Sequence, residues 1–212
     1  MKFTLFEDEV FEVTDPEALI EAYCFQSDFY SKYDQKRPRD DSSFKFVGLI
    51  GARMKNSSLD KCTEEIVRHK NIDIFCLDID TFLFRKTLGE KQNLVSELNT
   101  LIVKLDKIPC VGFSKITKIL HTRYPEIIPM IDNPLQKKYK GLKQEKWKEG
   151  DWRQLLLDYY NNFLKGETFS NVTKVHDKLS IPNLTKVRIF DILWWSYLKS
   201  EKNPVWKTIY KV

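Results

Sequence analysis

The stretch that decides the fold covers residues 98–132 and reads LNTLIVKLDKIPCVGFSKITKILHTRYPEIIPMID. It continues an apolar stripe at helical spacing, which predicts an amphipathic helix over residues 88–105. The sequence Pro-Cys-Val-Gly at 109–112 predicts a tight turn, and a second amphipathic helix begins directly after it. Pro125 ends that second helix, and an extended link leads to Asp132, which stands at a helix-start signal.

The rest of the chain is also predicted to be mainly helical. A short β-hairpin is expected over 2–13, where apolar residues alternate around an acidic turn. Segment 72–84 leaves two alternatives open, because its β-branched and aromatic residues favour a strand while Asp78 and Asp80 interrupt that pattern. The fold class is therefore all-α or nearly so. Further helices are predicted near 14–30, 57–67, 152–164, 171–179 and 184–198, and one after Asp132.

The composition limits the kind of protein. The chain has 212 residues, of which 42% are hydrophobic, and this is enough for one domain with a packed core. A net charge of +5 permits a polyanionic partner without requiring one. The cysteines form no CxxC pair and the histidines have no ligand spacing, so we predict neither a metal site nor a cofactor. The chain shows no apolar leader and no membrane-length apolar run, and we expect a cytoplasmic protein with reduced thiols.

The order helix, tight turn, helix, extended link and aspartate resembles the helix-hairpin-helix DNA glycosylase superfamily. In that superfamily a Leu-Pro-Gly-Val-Gly hairpin precedes a helix, and a catalytic aspartate follows. A Lys or a Ser lies two residues after the last hairpin glycine, and Ser114 has that position here. Asp132 follows Ser114 at the spacing of the superfamily's catalytic aspartate.

A closer resemblance extends from about Phe44 to Leu198. Over this range the chain is similar to an uncharacterised prokaryotic family, a domain of unknown function related to these glycosylases. The matching segments are 111–116 (VGFSKI), 123–132 (RYPEIIPMID) and 184–195 (LTKVRIFDILWW). This closer resemblance implies the fold and brings no catalytic residues with it.

The resemblance implies a helix-hairpin-helix glycosylase-like fold, all-α in class, with two helical lobes and a cleft between them. We expect a single globular domain over 1–212. One lobe would consist of 15–87 together with 165–212, and the other, 88–164, would carry the hairpin.

The resemblance also implies a site at the hairpin. The hairpin N–H groups and the N-terminus of the second helix would face a DNA backbone phosphate, with Gly112, Lys115 and Lys118 beside it. Ser114 and Asp132 would be the catalytic residues. The Asp132 carboxylate would face the sugar of a flipped nucleotide and stabilise an oxocarbenium-like transition state. The same aspartate is also an ordinary N-cap, and the two roles are compatible.

Two departures from the superfamily's pattern bear on this site. Cys110 stands where the superfamily has its first hairpin glycine, and a Cβ at that position could disturb the turn or block the phosphate. Ser114 stands at the Lys position, so a Schiff-base lyase step is not predicted unless Lys115 substitutes for it. The chemistry implied is therefore that of a monofunctional DNA N-glycosylase.

Residues 137–153 combine basic and aromatic side chains, which suits phosphate contact together with base stacking. The same pattern is typical of a solvated, lysine-rich connection whose tryptophans are anchored in the core. The candidate contacts are, for phosphate, Lys137, Lys138 and Lys140 and, for bases, Tyr139, Trp147 and Trp152.

Two pairs in the last predicted helix have mainly structural interpretations. Arg188 and Asp191 are one turn apart and are expected to pair in a buried position, although Asp191 could also be a second carboxylate of the site. Trp194 and Trp195 are expected to belong to the core.

Three functions fit the sequence. The leading hypothesis is a base-excision type of DNA-binding protein that acts on double-stranded DNA, with Asp132 at the N-glycosidic bond. The second is a nucleic-acid-binding module that kept the scaffold and lost the chemistry, and Cys110 favours it. The third is a protein-interaction or structural domain. No membrane partner is predicted.

Overall fold

The structure is a computed structural model that describes residues 1–5, 9–26, 44, 47, 52, 54–142 and 151–202, without the side chains of 25, 26 and 139–142. Over these residues the protein is mainly helical, with one small antiparallel sheet, as the sequence predicts. The polar stretch 31–43 lies outside the described residues. None of the described helices combines the length and the apolar character that crossing a bilayer requires.

The described elements follow one another in the predicted order. Strands β1 (Lys2–Leu5) and β2 (Glu9–Glu12) form an antiparallel pair in which Phe3 lies opposite Phe11. The helices are α1 (Pro16–Gln26), α2 (Asn56–Arg68), α3 (Ile79–Arg85), α4 (Leu88–Asp106), α5 (Phe113–Arg123), α6 (Asn133–Leu142), α7 (Arg153–Phe163), α8 (Thr168–Lys178) and α9 (Lys186–Lys202).

Segment 72–84, which the sequence left open, is helical. It contains a 3₁₀ turn at Asp73–Cys76 and then α3. The Asp78 side chain caps α3 by accepting the N–H of Thr81 at 2.6 Å. Aspartate is a preferred N-cap residue, so the residue that interrupts a strand pattern is here the start signal of a helix.

Helix α4 has the apolar stripe that the sequence predicts. A capping box starts it, because Thr87 and Glu90 each accept a hydrogen bond from the other's backbone N–H. The side chains of its inner face are all buried, and α4 packs mainly on α7 and α5. The buried stripe consists of Leu94, Val95, Leu98, Leu101, Ile102 and Leu105.

The N-terminal hairpin is attached to α8, late in the chain. The Thr4 N–H donates to Thr168 Oγ1 at 2.7 Å, and Asn171 Nδ2 donates to the Lys2 carbonyl at 2.8 Å. Buried apolar residues of both predicted lobes belong to one core cluster. Trp194 is fully buried in this cluster, whereas Trp195 is half-buried at its edge. The division into two lobes stays a prediction.

The turn between α4 and α5 has the backbone shape that a glycine would favour. Cys110 has a φ of 65°, in the left-handed region, where a side chain crowds the following carbonyl. The Val111 N–H donates to the Ile108 carbonyl at 3.1 Å, and Lys115 Nζ reaches back to the Cys110 carbonyl at 2.7 Å. The Cβ of Cys110 therefore does not prevent the turn, although the left-handed backbone at this residue is strained.

We expect Cys110→Gly to raise the free energy of unfolding by about 0.5–1 kcal/mol, because relief of the left-handed conformation exceeds the greater freedom of glycine in the unfolded chain. Cys76→Gly is the matched control, since Cys76 is also exposed but lies in a 3₁₀ turn with ordinary backbone angles. That control should lower the free energy of unfolding by about 0.5 kcal/mol. Urea unfolding of both variants measures the difference, and a loss of stability in both would contradict the prediction.

Candidate functional site

The link at 125–131, between α5 and α6, crosses the interior of the protein, with a turn at 125–127 and neither helix nor strand after it. All of its residues except Glu126 are buried, so its backbone polar groups need partners inside the fold. The N–H groups of Ile127 and Ile128 donate to the Tyr124 carbonyl, and side chains from α5, from α7 and from the residue directly before α9 contact the carbonyls. The carbonyls of Pro125, Ile127 and Ile128 contact Thr185 Oγ1 at 2.9 Å, the Tyr160 hydroxyl at 3.0 Å and His121 Nδ1 at 2.6 Å.

The end of the link is held most closely. The Met130 N–H donates to Asp191 Oδ2 at 2.9 Å. The Thr117 hydroxyl accepts the Ile131 N–H at 3.2 Å and lies 3.4 Å from the Ile131 carbonyl. These contacts fix the backbone directly before Asp132, so the direction of its side chain is set by α5 and α9.

Asp132 is the N-cap of α6, as the sequence predicts. Its Oδ1 accepts the Leu135 N–H at 3.2 Å, and its carbonyl accepts the Gln136 N–H at 3.0 Å. Burial raises the pKa of the Asp132 carboxyl, while the Leu135 N–H and the charge of Lys118 lower it. Burial lowers the pKa of Lys118, and the negative charge of Asp132 opposes this by favouring the protonated amine. Both side chains are half-buried, and each favours the charged form of the other.

A small cavity of about 20 Å³ adjoins Asp132. This is room for about one water molecule and is far below the roughly 300 Å³ of the smallest common ligand pockets. Two carboxylates, two cations and four largely apolar side chains surround it. The lining consists of Tyr23, Lys118, Met130, Asp132, Leu135, Arg188, Asp191 and Trp195.

Asp191 is the second carboxylate at this cavity. Besides the Met130 N–H, it accepts the Tyr159 hydroxyl at 2.7 Å. Burial raises the pKa of Asp191 to about 7, against the positive charge of Arg188 and these hydrogen bonds, which lower it. Arg188 is also buried, one turn away on α9, and its positive charge acts on Asp191; both side chains line the cavity. Direct pairing of the two stays a prediction.

Gly112 is exposed at the N-terminus of α5, and its φ of −102° is open to any residue. A Cβ added there would meet no atom within 4 Å. The fold itself therefore does not require glycine at this position. Space beside a helix N-terminus is where an anion can approach the first N–H groups of the helix.

The other candidate residues lie in different surroundings. Ser114 is half-buried in the first turn of α5, and Lys115 is turned toward the Cys110 carbonyl. Lys137 is exposed, and the side chain of Lys140 lies outside the described residues. Lys138 lies 3.1 Å from both Glu9 and Glu201, so two carboxylates already balance its charge.

Residues 143–150 of the lysine-rich stretch lie outside the described residues. Trp152 is buried and stacks on Phe113 with the ring centroids 3.8 Å apart. Its backbone N–H donates to Asn99 Oδ1 at 2.9 Å. Trp152 is therefore a core anchor.

Sequence reasoning missed three contributors to the site. Tyr23 and Tyr159 come from helices far away in the chain, and neither has a motif that would connect it with Asp132. Lys199 lies close enough for its charge to lower the pKa of Asp132. Its spacing of two helical turns from Asp191 was a usable signal, because it places both residues on one face of α9.

Comparisons with known proteins identify no relative. No protein-family model matches the chain, and neither a curated protein nor a solved structure matches it.

The pKa of Asp191 predicts a dependence of stability on pH. Because this pKa is about 7 in the folded protein and ordinarily 3.8, the unfolded chain releases the proton first as pH rises. The protonated Asp191 side chain therefore contributes to the free energy of unfolding. This contribution is fully present below about pH 4 and is lost as pH rises through about 7. We expect Asp191→Asn to flatten this part of the profile, measured by urea unfolding between pH 4 and pH 8. Asp60→Asn, at an exposed position, is the control and should leave the slope unchanged.

Proposed function

We propose that this protein binds double-stranded DNA through the turn between α4 and α5 and is of the base-excision type, with Asp132 acting on the N-glycosidic bond of a nucleotide turned out of the duplex. The observation that carries the proposal is the exposed Gly112 at the N-terminus of α5, whose missing Cβ leaves open space. A backbone phosphate is the anion in DNA that suits such a helix start.

The surroundings of the turn support the same proposal. Cys110 has the left-handed backbone that a hairpin glycine supplies in the helix-hairpin-helix superfamily. Lys115, held against the turn, adds a positive charge beside the N–H groups of the first turn of α5. Phosphate contacts of this kind give affinity and register without reading the base sequence.

Asp132 has the properties that the chemistry asks of a carboxylate. Its position is fixed by the link before it and by the cap that it forms. Burial raises the pKa of its carboxyl, and the Leu135 N–H and the charge of Lys118 oppose this by favouring the ionised form. An ionised carboxylate facing the sugar would stabilise the positive charge that develops as the bond to the base breaks, and would orient the attacking water. Ser114 at the hairpin supports hydrolysis by water, because it offers no amine for a Schiff base.

A second candidate is DNA binding without cleavage. The cavity of about 20 Å³ beside Asp132 favours it, because a nucleobase does not fit this space unless the lining side chains move. The two candidates share the contact at the turn and differ only at Asp132.

The turn is tested by Gly112→Ser. Serine is a better N-cap than glycine, so stability should be equal or slightly higher, while the Cβ blocks the phosphate. We expect the Kd for a short duplex with an abasic-site analogue to rise about tenfold, a loss of roughly 1.4 kcal/mol. Gly89→Ser is the control, since Gly89 lies in the first turn of α4 and, like Gly112, has open space at its Cβ.

Fluorescence anisotropy over a salt series, with the undamaged duplex in parallel, measures these affinities. Tighter binding to the abasic analogue supports the base-excision proposal, and equal binding to both duplexes supports the second candidate. If the wild-type protein binds neither duplex at low salt, both candidates are wrong and an interaction domain is left.

Cleavage is tested by Asp132→Asn on a panel of duplexes with single damaged or mismatched bases. Asparagine keeps the cap of α6, so this variant should fold and bind DNA like the wild type. We expect the wild type to release one of the bases and the variant to be slower by at least about a hundredfold. A wild type that binds but releases no base from any duplex would rule out the leading proposal and favour the second.

A further inference from the structure

One face of α9 leads from the buried cluster at Asp132 to the surface. Asp191, Trp195, Lys199 and Lys202 follow one another at helical spacing on this face. Asp191 is buried, Trp195 is half-buried, and the two lysines of the last turn are exposed. We call Trp195, Lys199 and Lys202 the α9 surface.

The two lysines lie close to the proposed reaction site. The charges of Lys199 and Lys202 both lower the pKa of Asp132, as the charge of Lys118 on α5 does. In the part of the chain that the structure describes, no carboxylate forms an ion pair with Lys199 or Lys202. Their neighbour Glu201 is engaged elsewhere, by Lys138 and by the Tyr197 hydroxyl, each at 3.1 Å.

Trp195 joins these lysines to the cavity. Its ring packs edge-on against Tyr23, with the ring centroids 5.2 Å apart, and it lines the cavity beside Asp132. Lys199 Nζ lies 5.1 Å from the centre of the same ring. A half-exposed aromatic ring beside an ammonium group is a combination that proteins use for a nucleic-acid strand, where the ring contacts a base or sugar and the cation contacts a phosphate.

The position of the cations is what requires an explanation. Lysines in the last turn of a helix are stabilised by the helix dipole, so their presence alone indicates nothing. These two, however, continue the face of α9 on which Trp195 lines the cavity at Asp132, Lys199 lies against that ring, and the charges of both act on the Asp132 carboxylate. Positive charge on this face attracts a phosphate to the edge of the site, whereas the negative charge of Asp132 alone would repel the phosphate.

We propose that the α9 surface is a second DNA contact, which binds the phosphates beside the nucleotide that Asp132 faces. This inference rests on the proposed function, because it assigns a further part of the same DNA-binding surface. The turn at Gly112 would hold one phosphate, and Lys199 and Lys202 would hold two more near Asp132.

The test is the double variant Lys199→Gln and Lys202→Gln, with binding to the abasic duplex measured over a salt series. Loss of two phosphate contacts should raise the Kd at low salt about tenfold or more and reduce the slope of log Kd against log salt by about 2. Lys2→Gln with Lys174→Gln is the control. It removes the same charge from two exposed lysines that lie outside the α9 surface and are not among the charges that act on Asp132. The control should bind like the wild type.

The outcomes separate the inference from the proposed function. If the wild type binds no DNA, the proposed function fails and the inference with it. If the wild type binds and Gly112→Ser weakens binding, but the α9 variant keeps the wild-type Kd and slope, only the inference fails. An equal loss in the α9 variant and its control would also overturn it, because the effect would then be one of net charge. Displacement of the duplex by polyglutamate of equal charge would show that the surface binds acidic polypeptides instead.

Trp195→Phe tests the aromatic part of the contact by a different signal. Addition of the duplex should change the tryptophan fluorescence of the wild type and leave that of the variant nearly unchanged. A full fluorescence change in the variant would exclude Trp195 from the contact, since the remaining tryptophans would then account for the signal.

Discussion

The buried link before Asp132 is the constraint on which the site depends. An extended backbone inside a protein has polar groups that neither a helix nor a sheet satisfies, and each one left without a partner costs about 1–3 kcal/mol. Here the partners are side chains of α5, α7 and α9, such as Thr117, Tyr160 and Asp191. The three helices cannot shift independently, because each of them is hydrogen-bonded to the same short stretch of backbone.

This arrangement explains why charged groups collect in one place. Asp191 is required in the interior as an acceptor for the Met130 N–H, and Arg188 offsets the burial of its charge. Asp132 follows two residues after Met130 and so lies beside them, with Lys118 opposite. The electrostatic character of the site is therefore largely a consequence of how the link is held.

Much of the fold follows from the sequence alone. The stripe of α4, the turn at Cys110 and the cap at Asp132 depend on short-range spacing, and the structure has each of them where the pattern indicates. Segment 72–84 was ambiguous because a short apolar run has no decisive period, and the cap at Asp78 settles it as helix. Only part of the site could be predicted from the sequence. The site is assembled from residues as distant as Tyr23 and Lys199, and no local pattern relates them.

The attachment of β1 to α8 has a consequence for synthesis of the protein. Thr4 and its hydrogen-bond partner Thr168 are 164 positions apart, and Met130 and Asp191 are 61 apart. A ribosome releases the N-terminal hairpin long before α8 exists, and it releases the link before α9 exists. The nascent chain therefore carries a hairpin without its contacts to α8, and a link without the acceptor Asp191, until its last third has emerged, which is the period in which such chains are exposed to aggregation. Truncation before Asp191 would leave the Met130 N–H without this acceptor permanently.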